Sequence, residues 1–384
     1  MESLVHALSL RNVSGVGSVL YKRLIETFQT AESVFSTDAE ALSEVEGVSE
    51  SAIQNILTFH DFDSAKREIE KIEKEGVTVL TLNDPAYPKL LLDIYDPPPI
   101  LYRKGNISDA TEHDPYPIAM VGTRNMTAYG KSVAQWTACE LAKVGVTVVS
   151  GFARGIDAIS HQTAIASGGR TFAVLGCGID VLYPKEHRKL YDDILEHGFI
   201  FSEFPMGTIP EPRNFPKRNR IISGLSLGTI IVEAAQKSGS LITARLALEQ
   251  GREVFAVPGS IFSETSKGVH DLIQSGAKLV QAIDDILREL LPQMRAAHPA
   301  LPNAGKESFF RPVTLQEPVK EKKNLPEMTP QEKIIYDLLS KEPKQINTII
   351  EASALTSAMV SYYLLELELK GVVRQMTGQF YVRL

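Results

Sequence analysis

From Val77 onward the chain alternates short, almost unbroken apolar runs with amphipathic stretches of helical period. The runs are V-T-V-L-T-L, P-I-A-M-V-G-T-R, V-T-V-V-S-G, T-F-A-V-L-G, F-I-F-S-E, G-T-I-I-V-E-A and E-V-F-A-V-P-G. A strand that is apolar at nearly every position has no face to give to water, so it belongs in a sheet covered on both sides. Helices between successive strands supply that cover and force parallel crossovers. Residues 63–290 are therefore expected to form an α/β domain, a Rossmann-like doubly wound and mostly parallel sheet. Asp96-Pro97-Pro98-Pro99 marks a rigid turn between an early segment and the main sheet.

The flanks have another texture. Residues 1–62 read as wholly helical, and L-R-N-V-S-G-V-G-S-V-L-Y-K-R-L-I-E-T-F recurs loosely as L-S-E-V-E-G-V-S-E-S-A-I-Q-N-I. Each copy has two helices around a glycine turn (Gly15 and Gly17; Gly47), the pattern of a tandem helix-hairpin-helix or SAM-like domain. Such turns can offer backbone N–H groups to a DNA phosphate. Residues 1–60 hold three Lys/Arg (Arg11, Lys22, Arg23) against eight Asp/Glu, so phosphate contact and a structural or partner-binding role both stay open.

Seven of the 21 prolines fall between Leu291 and Pro330, beside V-K-E-K-K-N, which marks 291–329 as a linker. In 330–384, Thr329, Pro330 and Glu332 are placed for a capping box, two further helices follow, and a β-hairpin is expected to turn at Thr377-Gly378. Three helices and a hairpin outline a winged helix. Residues 326–384 carry six Lys/Arg and seven Asp/Glu, so no cationic face dominates. The module is expected to fold like a DNA reader yet add little to DNA affinity, serving as a protein contact or weak auxiliary element.

In open parallel sheets, ligands bind in loops beyond the carboxyl ends of the strands. Those loops hold Gly122-Thr123-Arg124, then Gly151, Arg154, Gly155 and Asp157, then L-G-C-G-I-D-V-L-Y-P, then E-F-P, then Gly239, Ser240 and Thr243. The fourth leads into F-P-K-R-N-R-I-I-S-G-L-S, Phe215 to Ser226. The chain has a net charge of −7, yet between Glu211 and Glu233 there is no acid and four bases, Arg213, Lys217, Arg218 and Arg220. Cations concentrated in an acidic protein mark a local anion site. The run also reads as the opening of a helix, with Pro216 in its first turn. Glycines allow close backbone approach to a phosphate, and helix N-termini add positive potential. Arg124, Arg154, Lys217, Arg218 and Arg220 are expected to converge on this edge. Phe215 and Tyr183 are candidate stacking platforms, with a buried role for Phe215 as the other reading.

Catalytic chemistry is not expected. There is no P-loop and no identifiable Ser/His/Asp or Cys/His set. His161 reads as a helix or core residue rather than a base, Asp157 as a helix cap or a partner for an arginine, and nothing pairs Asp157 with Glu203. No metal-ligand spacing or cofactor fingerprint is complete. Cys139 and Cys177 lie far apart, as in a reduced cytoplasmic protein, and no secretion signal or membrane span is expected.

The ordered set G-T-R, S-G-F-A-R-G-I-D, L-G-C-G-I-D-x-x-Y-P, S-E-F-P, F-P-K-R-N-R-I-I-S-G-L-S, S-G-S-L-I-T-A, G-R-E-V-F-A-V-P-G and L-I-Q-S-G-A resembles the DNA-processing protein family DprA, also called Smf. The resemblance covers about residues 77–290 nearly without gaps, and the flanking modules fit the longer family members. It implies a cytoplasmic homodimer that binds single-stranded DNA through its Rossmann-like domain and loads RecA recombinase during natural transformation. By position, Arg124, Lys217, Arg218, Asn219 and Arg220 would hold phosphates. Phe152 stands where the family commonly has leucine. The alternative on this scaffold is a nucleotide-binding, phosphoribohydrolase-like enzyme, whose P-G-G-x-G-T-x-x-E signature is missing; the nearest segment is V-P-G-S-I-F-S-E.

Overall fold

A computed structural model describes residues 2–106, 116–297, 328–340, 344–353, 355–376 and 379–383. The chain divides into two units, Met1–Ala304 and Gly305–Leu384.

The first unit is built on one nine-stranded sheet: β1 (Thr78–Thr81), β2 (Ile100–Lys104), β3 (Pro117–Val121), β4 (Thr147–Ser150), β5 (Thr171–Val174), β6 (Gly198–Ser202), β7 (Gly228–Ile231), β8 (Glu253–Ala256) and β9 (Lys278–Leu279). Its order is β1-β2-β6-β5-β4-β3-β7-β8-β9. Strands β3 to β9 pair in parallel, β2 runs antiparallel to β6, and β1 antiparallel to β2. Every residue of β3 to β7 is buried, as their apolar runs require. Strands β2 and β9 were not among the expected runs. In β2 the sequence I-L-Y-R-K hides a buried Arg103, whose guanidinium lies 4.7 Å from the centroid of the Phe199 ring.

From β3 the chain steps outward through β4, β5 and β6, then returns to lay β7 against the other side of β3. The connecting helices diverge at that reversal, which opens a crevice beyond the carboxyl ends of β3 and β7.

The N-terminal helices Glu2–Asn12, Ser18–Phe28, Ala31–Ser36, Ala39–Ser43 and Glu50–Leu57 form the expected paired hairpins, with positive φ at Gly15 and Gly47 in the turns. All three cations counted there have partners within the fold. Arg11 binds Glu68 (2.7 Å) and the Tyr102 hydroxyl, Lys22 donates to the Leu92 carbonyl (3.3 Å), and Arg23 to the Glu46 carbonyl (2.7 Å). Leu8, Leu24 and Ile56 belong to the same buried cluster as Tyr102, Ile200 and Phe201 of the sheet. These ties favour the structural reading of the hairpins. A further helix, Phe62–Lys74, supplies Glu68 to the junction.

The last helix of this unit, Ile283–Ala297, carries Pro292 inside it and so continues past the point where the proline-rich stretch begins. Among the described residues no single helix is long and apolar enough to cross a membrane.

The second unit contains helices Pro330–Leu338, Ile346–Ser353 and Ser357–Leu369 with strands β10 (Lys344–Gln345), β11 (Val373–Met376) and β12 (Phe380–Arg383), in the order β10-β12-β11. The capping box forms as expected, Thr329 accepting from Glu332 N and Glu332 from Thr329 N. Strands β11 and β12 are the arms of the hairpin; its turn at Thr377-Gly378 lies outside the described residues. Ile335, Ile349, Val360, Leu364, Leu367 and Val373 close a core of its own. This is a winged helix.

Candidate nucleic-acid interface

Two adjoining depressions open at the carboxyl edge of the sheet. One, about 170 Å³, lies among Arg124, Gly151, Arg154, Gly176, Tyr183 and Phe215. The other, about 280 Å³, lies among Gly122, Arg124, Asn219, Gly239, Ser240 and Thr243. Arg124 and Phe215 line both. The edge residues picked from sequence are thus largely brought together, and the wall between the depressions is an aromatic ring.

That ring is placed by the helix Asn214–Gly224, in which Ile221 and Ile222 are buried and Pro216 falls in the first turn. Gly176 makes room for it, since a Cβ there would come within 2.9 Å of Phe215. Phe215 is half-buried. The Arg124 guanidinium lies 5.4 Å from its centroid, that of Arg218 5.8 Å, and the Tyr183 ring 5.9 Å. Cations on an aromatic face are favourable and hold the ring's orientation.

The basic run does not act as one cluster. In a helix successive residues turn by about 100°, so positions one and two apart face different ways. Lys217 is exposed. Arg218 turns inward, donating to the Gly151 and Val174 carbonyls (the latter 2.6 Å) and to Asn219 (3.2 Å). Burial pulls its guanidinium down to about 10, offset in part by Asp157. Asn219 reaches the Gly239 carbonyl at 3.3 Å, tying this helix to the next. Arg220 departs from the expected convergence altogether. It pairs with Glu203 and, at 3.2 Å, with Asp96 of the proline turn, as an element of the framework. Arg154 is exposed but paired with Glu186.

The glycines differ in purpose. A Cβ on Gly151 would meet Arg218 at 2.6 Å and Asp157 at 2.8 Å. Gly155, at φ 78°, lies against the carbonyls of Thr123 and Arg124. Gly239 has open space in front of it and begins the helix Gly239–Glu249, where the Ser238 hydroxyl accepts from Ser240 N at 3.4 Å; the dipole of that end still favours an anion. Ser240 and Thr243 are buried behind it. Thr123 fixes its own turn, accepting from Asn125 N at 3.2 Å. Asp157 accepts from Gly151 N (3.2 Å) and Ala153 N (3.3 Å), and burial raises its carboxyl against the opposing pull of Arg218.

The family model described as DNA recombination-mediator protein A matches residues 78–291. The chain belongs to this family. A DprA winged-helix model matches residues 319–379 of this DprA family member, and a SAM-like tandem helix-hairpin-helix model matches 7–59. Protein Smf of Synechocystis is 36% identical, covering 98% of this chain and 98% of its own. The DNA processing protein DprA of Bacillus subtilis is 45% identical over 58% of this chain and 75% of its own. The X-ray structure of DprA from Streptococcus pneumoniae superposes with a TM-score of 0.64 at 34% identity, covering 74% of this chain and 97% of that one. DprA from Helicobacter pylori, studied for its single-stranded DNA binding mode, gives 0.50 at 33%, covering 56% of this chain and 96% of that one.

One residue that organises this DprA edge carried no signal as a lone acid at a strand end. Glu233, buried after β7, accepts from Thr127 N (3.0 Å), Thr127 Oγ1 (2.6 Å) and Thr265 Oγ1 (3.3 Å), while its carbonyl takes the Thr123 amide at 2.7 Å. It clamps both ends of the segment that carries Arg124.

His161 is a core residue. Thr171 Oγ1 donates to the Val148 carbonyl (2.7 Å), so His161 Nδ1, 2.6 Å away, is the donor to that hydroxyl. Burial pushes the imidazole down to about 3. Its folded value lies below the unfolded one, so its contribution is complete above pH 6.5 and is lost as pH falls toward 3, by about 1.4 kcal/mol per pH unit. His161→Leu is expected to flatten the acid limb of stability in urea unfolding between pH 7 and 4. An unchanged limb would show that another group sets it.

Proposed function

We propose that this DprA family member binds single-stranded DNA at the β3–β7 crevice and hands it to RecA recombinase, acting as a cytoplasmic homodimer in natural transformation. The observation that carries the reading is the grouping of an exposed arginine, an aromatic ring and an open helix end. Arg124 can hold a phosphate, the faces of Phe215 and Tyr183 can take bases, and Gly239 begins a helix whose amides favour an anion. Lys217 stands exposed on the same helix as Phe215 and adds to the positive field. Gly122, Gly151 and Gly155 let the loops under the site pack closely against Ile156, Arg218 and the Thr123–Arg124 main chain. Arg218, Asn219, Ser240 and Thr243 support the floor of the site.

The titratable groups nearby suit binding rather than turnover. Burial holds the Cys177 thiol up at about 11, so it is not a thiolate nucleophile at neutral pH. The inferred contacts go to phosphates and base faces, which carry little sequence information, so binding is broad across base composition.

Arg124→Ala is expected to weaken single-strand binding by about 1–3 kcal/mol and to flatten the slope of log affinity on log salt by about 0.7. Titration of oligonucleotides at several salt concentrations measures both, and duplex of equal length is the control. Unchanged affinity and slope would remove DNA from this edge.

A further inference from the structure

The winged helix presents an apolar face that its own core does not use. In the helix Ser357–Leu369, Val360, Leu364 and Leu367 point into the core. On the other side Tyr362, Leu365 and Leu369 are 57%, 55% and 76% exposed, and Ala358 is exposed in line with them. A helix apolar on all sides is normally covered on all sides. This is the helix that a DNA-reading winged helix lays in the major groove, where cations and amides are needed; its open stripe carries neither.

We propose that this stripe is a self-association seam, pairing antiparallel with the same helix of a second copy of the chain. Three features select that occupant. The exposed positions 358, 362, 365 and 369 are spaced by 4, 3 and 4 residues, a pattern that reads the same from either end. A two-fold axis therefore sets Ala358 opposite Leu369 and Tyr362 opposite Leu365, each surface meeting its own copy. Size agrees as well, because the small residue faces the most exposed leucine. Parallel pairing would oppose Leu369 to Leu369 and Ala358 to Ala358, crowding one end and gapping the other.

Charge is the third feature. The first turn of the helix carries no acid of its own to complement its positive end. Antiparallel pairing brings Glu366 of each copy opposite Ser361 of the other, toward that end, whereas parallel pairing would set Glu366 beside Glu366. The seam is one helix wide and so makes a weak contact. It becomes effective when two copies are already held together and the tethered modules meet at raised local concentration. The inference stands apart from the DNA reading, since it concerns a different face of a different unit.

The test uses residues 326–384, a unit with its own core and sheet and no cysteine, since Cys139 and Cys177 are the only two in the chain. Sedimentation equilibrium is expected to show a reversible monomer–dimer system. Leu365→Glu should raise its dissociation constant at least about tenfold, because a carboxylate would be buried without a partner. A short thiol cross-linker is expected to join Ala358→Cys to Leu369→Cys fragments in a mixture, and neither variant to itself. A monomer at every concentration would overturn the proposal. So would a dimer indifferent to Leu365→Glu, cross-linking of Ala358→Cys to itself, or duplex DNA binding by the fragment that Leu365→Glu abolishes.

Discussion

Arg218→Ala is expected to lower the stability of the sheet-bearing unit by about 3–5 kcal/mol, the range for removing one partner from a buried charged network. The guanidinium joins the loops after β4 and β5 through the Gly151 and Val174 carbonyls, with Asp157 close by. Its removal leaves two buried carbonyls facing a raised carboxyl with nothing between them. Urea unfolding measures the loss. Arg124→Ala, an exposed change, should stay within about 0.5 kcal/mol of the parent in the same assay. If Arg218→Ala were equally mild, Arg218 would be a ligand-facing cation and its framework role would be wrong.

Gly155→Ala is expected to disturb stability and binding together. The residue holds φ 78° with its α-carbon packed against the carbonyls of Thr123 and Arg124, and the obstacle is main chain, which cannot rotate away. The forced backbone costs about 1–3 kcal/mol, and the Arg124 segment must shift to admit the methyl group. Single-strand affinity should fall about tenfold or more with the circular dichroism spectrum intact. Parent-like affinity would mean that the position of Arg124 does not matter to binding.

Much of the fold is written in periodicity. The strands from β3 to β8 are apolar runs that only a two-sided cover can hide, and each appears where the runs lie. Strand β2 escaped because Arg103 and Lys104 break its apolar pattern, and the compensation, an aromatic ring under the guanidinium, comes from a strand almost a hundred residues later. Strand β9 has two residues and no pattern to read. The edge that carries the candidate site was legible because topology places ligands at a reversal of strand order. The roles of individual arginines were not. Linear density suggested one cluster, while helical rotation sends Arg218 into the core and Arg220 to Glu203 and Asp96. Glu233 was unreadable for a related reason, since its donors come from loops far apart in sequence.

The continuous core linking the helical hairpins to the sheet sets how the molecule responds to cutting. Sequence texture changes near residue 62, but Leu8, Leu24 and Ile56 pack in one cluster with Tyr102 and Phe201, and Arg11 bridges the join through Glu68. Segments that share a core melt as one cooperative foldon. Trimming the hairpins is therefore a wound to the sheet, and a truncated chain that loses DNA would report damage as readily as a missing contact. Folding autonomy here follows the buried surface rather than the motif boundary.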